Sequence, residues 1–279
     1  MLSSNGLLHV LGLTIALVAI ASSRSIAQVS SVRTWDVNGV TLGSPFRTSA
    51  ATLKQSDRYM QTTISSYRLQ TGSAGTTNTG YTSPPFDFGS TSRDDAGQAA
   101  NGFEDQVHII NDVSTNNVAM IFREMTFNGN THRPLMSTFV NALFAKYGKP
   151  LKTWLTGETM AEYVWAEPGT DFAAAPDQFI STPVLACMAL PNKTEAYSVY
   201  NNAFEEYEPP SGLTCGRRFM VIDVGGEENG NGAIEISLMR QFVVDYERLL
   251  ASNAHITHIL ESGSAKDQQL RSKATAPPL

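Results

Sequence analysis

The chain has 279 residues, a formal charge of −6 and only 16% charged residues. That length suits one large domain or two small ones. The acidic balance argues against a nucleic-acid partner, which would need a basic face.

Leu7–Ala21 is a nearly continuous apolar run, too short for a comfortable membrane span. It is followed by Ser25 and Ala27 at the small-residue positions of an export cleavage site, so residues 1–27 read as a signal peptide cut after Ala27. The n-region departs from the usual pattern in having no Lys or Arg. Cleavage would remove Arg24 and no acid, leaving 252 residues and a charge of −7. No later stretch approaches a spanning length, so the expectation is a periplasmic or secreted protein with no stable membrane span after cleavage.

Val32–Val40 reads as a first strand ending in the turn signal Asn38-Gly39. Phe46, Ala50 and Leu53 fall at i, i+4 and i+7, which predicts a short helix to about Gln55. Tyr59–Leu69 reads as a strand rich in Thr, Ile and Tyr. Residues 71–102 are dominated by Gly, Ser, Thr, Asn and Asp and read as a low-complexity insertion, with Pro84-Pro85-Phe86-Asp87-Phe88 as its contact-prone part. Val107, Ile109 and Ile110 mark one strand and Val118–Phe127 the next, joined by a turn at Ser114–Asn117. His108 lies in the first of these two strands.

Leu135, Phe139, Leu143 and Tyr147 repeat every four residues and predict the clearest helix. Thr131 would cap it, Pro134 would sit in its first turn, and Gly148 and Pro150 would stop it. Met160–Ala166 follows as a strand with Trp165 as a core candidate, and Thr170–Phe179 as loop. Val184–Leu190 and Glu195–Tyr200 are further strand candidates. Phe219–Ile222 is apolar on both faces, which predicts a strand in the middle of a sheet. Ile234, Ile236 and Leu238 alternate with Glu235 and Ser237, as in a half-buried strand. A last helix is expected at about Val243–Ser252, and residues 263–279 read as a disordered tail.

The only two cysteines are Cys187 and Cys215. In an exported chain they are expected to form a disulfide closing a loop of 28 residues by numbering (215 minus 187). Such bridges contribute about 2–4 kcal/mol. Their oxidation would also remove a thiol nucleophile.

A helix followed by strands occurs twice, once from Phe46 and once from Leu135. The expected fold is therefore α+β: a mainly antiparallel sheet packed by two or three helices, with a duplicated helix-plus-strands unit. Residues 28–262 form this domain, with halves at 32–130 and 131–255. The segments Val40-Thr-Leu42-Gly43-Ser44-Pro45 and Lys146-Tyr147-Gly148-Lys149-Pro150 resemble those of small exported bacterial modules. Outer-membrane assembly lipoproteins of the SmpA/OmlA type and β-lactamase-inhibitor-like domains share this style. The lipoprotein cysteine is absent, and the Gly and Pro signals flank two helices rather than one. The resemblance implies a role in protein contacts and transfers no catalytic residue.

The common active-site signatures are missing. There is no G-x-S-x-G elbow, no S-x-x-K pair, no H-E-x-x-H helix and no P-loop. His255, His258 and Glu261 have helical spacing but no evident further ligand. Asp223–Gly232 is rich in oxygen ligands but out of EF-hand register, and reads as a hairpin turn. Glu205, Glu206 and Glu208 form an acidic cluster inside the expected disulfide loop. Asn192-Lys193-Thr194 is a glycosylation sequon. The resulting expectation is a non-catalytic module that binds another envelope or secreted protein, with no cofactor, metal or catalytic residue. The alternative is a secreted hydrolase using carboxylates such as Glu205, Glu206 or Asp223.

Overall fold

The computed structural model describes residues 35–56, 59, 61–68, 83–93, 103–127, 133–169 and 216–273. The expected signal peptide, Thr131, the strand candidates at 184–190 and 195–200, the sequon, Glu205, Glu206, Cys187 and Cys215 lie outside them.

The described chain opens with a small hairpin, β1 (Asp36–Val37) and β2 (Val40–Thr41). Asn38 and Gly39 both take positive φ, at 50° and 83°, which makes the tight turn that Asn-Gly favours. The first predicted strand is thus two short strands around that turn. Helix α1 (Phe46–Gln55) follows, with Phe46, Ala50 and Leu53 buried as the spacing predicts. Four antiparallel strands come next: β3 (Gln61–Tyr67), β4 (Phe86–Arg93), β5 (Phe103–Asp112) and β6 (Asn117–Phe127). Then α2 (Met136–Tyr147) leads into four more: β7 (Lys152–Thr156), β8 (Met160–Ala166), β9 (Arg218–Glu228) and β10 (Ile234–Asp245). Helix α3 (Tyr246–Lys273) closes the described chain.

Among the described residues the main sheet has eight strands in the order β3-β4-β5-β6-β10-β9-β8-β7, all antiparallel. That order reads alike from either edge, with β6 and β10 meeting at the centre. Each half is one helix followed by a four-strand meander. The helix starts repeat the symmetry: Pro45, before α1, bridges to Asn117 of β6, and Leu135, before α2, bridges to Glu235 of β10. The architectural duplication expected from the two helix-then-strands runs is therefore present, in an α+β fold.

One face of the sheet carries the main core. Val107, Ile109, Ile121, Tyr163, Trp165, Ile222, Ile236, Met239 and Val243 pack there with Phe46, Leu53 and Tyr147, and Phe139, Leu143 and Phe144 of α2 lie against them. Edge-on ring contacts fix α2, with Phe144 at 5.3 Å from Tyr163 and Tyr147 at 5.8 Å from Trp165. Ile110, Met120, Phe219 and Val244 of the opposite face are also buried, and α3 lies against β5, β6 and β9.

Several expectations are corrected. Phe86–Arg93, inside the stretch read as an insertion, is a full strand between β3 and β5. Its Ser, Thr and Gly residues satisfy the ladder without the apolar alternation by which a strand is recognised. Pro134 precedes α2 rather than sitting in its first turn, and no side chain caps the helix. Gly148 does terminate it, at φ 78°. The alternation of Ile234, Ile236 and Leu238 is broken by a bulge between Ile236 and Leu238. Met239 rather than Leu238 then joins the core. Val243 to Asp245 complete β10, and α3 runs on through Lys273 into the stretch read as tail. β7 was not anticipated.

Candidate functional site

Directly opposed residues on neighbouring strands point to the same face of a sheet. One such row crosses all eight strands on the face opposite α1 and α2. Trp154 of β7 opposes Glu162 of β8, which opposes Asp223 of β9, which opposes Arg240 of β10. Arg240 opposes Glu124 of β6, followed by Gln106 of β5, Arg93 of β4 and Gln61 of β3. A polar line therefore runs through a sheet that is otherwise largely apolar at its centre.

The centre of the line is an ion pair. Arg240 Nε donates to Glu124 Oε2 at 2.7 Å, with both side chains partly exposed. On one side Gln106, its amide oxygen turned inward, accepts from His108 Nε2 at 2.5 Å and from Arg93 at 3.3 Å. Thr91 Oγ1 lies 3.0 Å from His108 Nδ1, so the ring is bonded at both nitrogens. Burial, and then the charge of Arg93, lower the His108 pKa to about 4. This histidine is a neutral core group, its ring tilted against Phe122 with centroids 5.7 Å apart.

On the other side two acids face each other. Glu162 is 4% exposed. Burial, then the charge and hydrogen bond of Asp223, push its carboxyl up to about 9. Burial also raises Asp223, to about 6, although Arg240 opposes that shift. Glu162 Oε1 and Asp223 Oδ1 are both buried and, among the described residues, receive no hydrogen bond from an N–H or O–H donor. Two carboxyl groups in this arrangement satisfy each other only when one of them is protonated.

A second feature lies on the α2 side. A cleft of about 440 Å³ is lined by Leu135, Met136, Val140, Tyr163 and Ile234, with Ser137 as its polar contribution. Gly226 permits the close approach that shapes it, since a Cβ there would stand 2.7 Å from Ile234 Cγ2, 2.8 Å from the Glu235 carbonyl oxygen and 3.1 Å from Met136 Cε. Nearby, β7 is an edge strand among the described residues. Leu155 opposes Ala161, so it shares the face of Tyr163, and it is 69% exposed. Leu151 and Leu135 are also exposed.

The sequence-derived candidates divide accordingly. Asp223 belongs to the carboxyl pair; Glu205, Glu206 and the two cysteines lie outside the described residues. Asn229–Ala233 is a hairpin turn in which Asn229 Oδ1 accepts from the backbone of Asn231 and Ala233, so this oxygen is already engaged. His255, His258 and Glu261 lie on α3, and no metal-holding group of three or more His, Cys, Asp or Glu occurs among the described residues. Glu162 was missed. An acid inside the apolar run Ala161–Ala166 was the available signal. Comparison with family models, with curated proteins and with solved structures returns no match.

Proposed function

We propose that this protein is an exported, non-catalytic binding module that captures an extended segment of another envelope or secreted protein along β7. The observation that carries the reading is an edge strand, among the described residues, at which Leu151 and Leu155 stand exposed. An edge strand offers backbone hydrogen bonds to an added strand. Leu151 and Leu155, both exposed, suit apolar side chains of that strand. The partner is therefore an extended segment with apolar residues at alternate positions. Export rests on the Leu7–Ala27 pattern, and the Cys187–Cys215 bridge follows from it. A contact role agrees with the resemblance to SmpA/OmlA-type and β-lactamase-inhibitor-like modules.

Leu155→Lys tests the surface. The side chain is exposed, so stability should change by no more than about 0.5 kcal/mol. The variant should lose the envelope partner that co-purifies with the wild type. Equal recovery by both proteins would remove β7 as the contact.

The Asp223–Glu162 pair favours a second reading, a carboxylate-based hydrolase. Catalysis would need water and substrate to reach the pair, in which Glu162 Oε1 and Asp223 Oδ1 are buried at the β8–β9 pairing. A broad hydrolase screen comparing wild type with Asp223→Asn decides between the readings. Activity lost in the variant would favour the hydrolase.

A further inference from the structure

We propose that Glu162 and Asp223 share a single proton and form a pH-sensitive latch that holds the β7–β8 hairpin to the rest of the sheet. This goes beyond the binding reading and does not depend on it. Among the described residues, the hairpin is joined to the rest of the sheet through the β8–β9 pairing, and Glu162↔Asp223 lies within that seam.

Among the described residues, the charged groups facing the pair are few. On β9 there is Asp223 itself. On β10, Arg240 is engaged by Glu124 of β6 at 2.7 Å. On β7 the directly opposed residue is Trp154, and Lys152, on the same face, holds its Nζ 5.1 Å from the Trp154 ring centroid. Glu162 is flanked along its own face of β8 by Met160 and Val164. A proton between the two acids satisfies both buried oxygens and leaves one negative charge, which Arg240 faces. Loss of that proton leaves two like charges opposed across a strand pair, where ionised carboxylates repel.

The direction with pH follows. Glu162 is raised from 4.5 to about 9, so the native state holds a proton that the unfolded chain has already lost. Its contribution is fully present below about pH 4.5 and is lost as pH rises through about 9. His108 titrates below this range, from 6.5 to about 4. Tyr163 and Tyr246 are raised above 10, so a scan between about pH 7 and about 9 isolates the pair.

The test is the unfolding equilibrium of the full chain across that range, for wild type and Glu162→Gln. One retained proton predicts that the wild-type unfolding constant rises about tenfold per pH unit, and that the slope vanishes in the variant. A flat wild-type profile, or the same slope in Glu162→Gln, overturns the proposal. So does a calcium-dependent rise in Tm that the variant lacks, which would make the pair a cation site. Should Glu162→Gln fail to fold, infrared spectroscopy of the wild type decides. A protonated-carboxyl band at neutral pH that disappears above about pH 9 supports the latch, and no such band at neutral pH overturns it.

Discussion

Asp105 carries a hydrogen-bonded ion pair into the core. It is 0% exposed and accepts from Arg123 Nε and Nη2, both at 2.8 Å, in a two-pronged ion pair. Tyr59 OH donates a third bond at 3.1 Å and is itself contacted by Asn38, which ties the β1–β2 hairpin to the sheet. The Arg123 side chain is only 13% exposed, so water cannot replace the lost partner. Asp105→Ala would strand a buried guanidinium, and breaking a buried pair in this way costs about 3–5 kcal/mol. At about 2–4 °C per kcal/mol for a domain of this size, Tm should fall by about 6–20 °C. Urea titration with an unchanged slope would assign the loss to stability rather than to a looser unfolded state. Replacing both partners, as Asp105→Leu with Arg123→Met, should recover most of the loss, because neither charge then remains buried. A cost below about 1 kcal/mol for Asp105→Ala is the size of an exposed pair and would refute the reasoning.

Gly226→Ala should destabilise by about 1–3 kcal/mol through overpacking, because the 2.8 Å approach to the Glu235 carbonyl oxygen involves backbone; a neutral effect by thermal melting would contradict the close β9–β10 approach. His108 and the carboxyl pair act in opposite directions between about pH 5 and 6.5. The depressed histidine adds stability as pH rises from 4 to 6.5, while Glu162 loses it from 4.5 upward. Asp223, raised to about 6, also loses stability as pH rises to that value. Wild-type Tm should therefore fall up to about pH 6 and then flatten, and His108→Leu should fall more steeply throughout; parallel profiles would show that His108 does not titrate as described. Mass spectrometry of natively purified protein should find Cys187 and Cys215 linked and the N-terminus cut after Ala27, whereas two free thiols or an uncut chain would reopen the question of export.

Local periodicity made much of the fold legible. Phe46, Ala50 and Leu53 marked α1 to its last residue, and Met160–Ala166 marked β8 exactly where it lies. Phe219–Ile222, apolar on both faces, is interior, flanked by β8 and β10. What escaped lacks such a period. β4 begins with Phe86 and Phe88 but runs on through Gly89, Ser90, Thr91 and Ser92, and is held by its neighbours rather than by a continued apolar stripe. β7 is short and exposed, and only its pairing with β8 identifies it. The bulge at Ile236/Leu238 changes which side chains face the core without changing their chemistry.

The candidate site was less legible because it depends on register. Glu162 and Asp223 are 61 positions apart by numbering, and only the β8–β9 alignment sets them face to face. The same holds for Arg240 and Glu124, which meet where the two halves of the sheet join. The cleft is likewise assembled from α2, Tyr163 and the β9–β10 hairpin. The two acids could be noticed as charges inside apolar runs. That they form a pair could not be read before the sheet was built.

The binding role is tested most directly by a photo-crosslinking residue placed at Leu155, with Ile64 on the opposite edge strand as control, since both side chains are exposed. In the cell of origin, residue 155 should crosslink to an extended, alternately apolar segment of another exported protein, and residue 64 should not. Crosslinking at 155 no stronger than at 64, or only to a second copy of this chain, would contradict capture of a partner strand by β7.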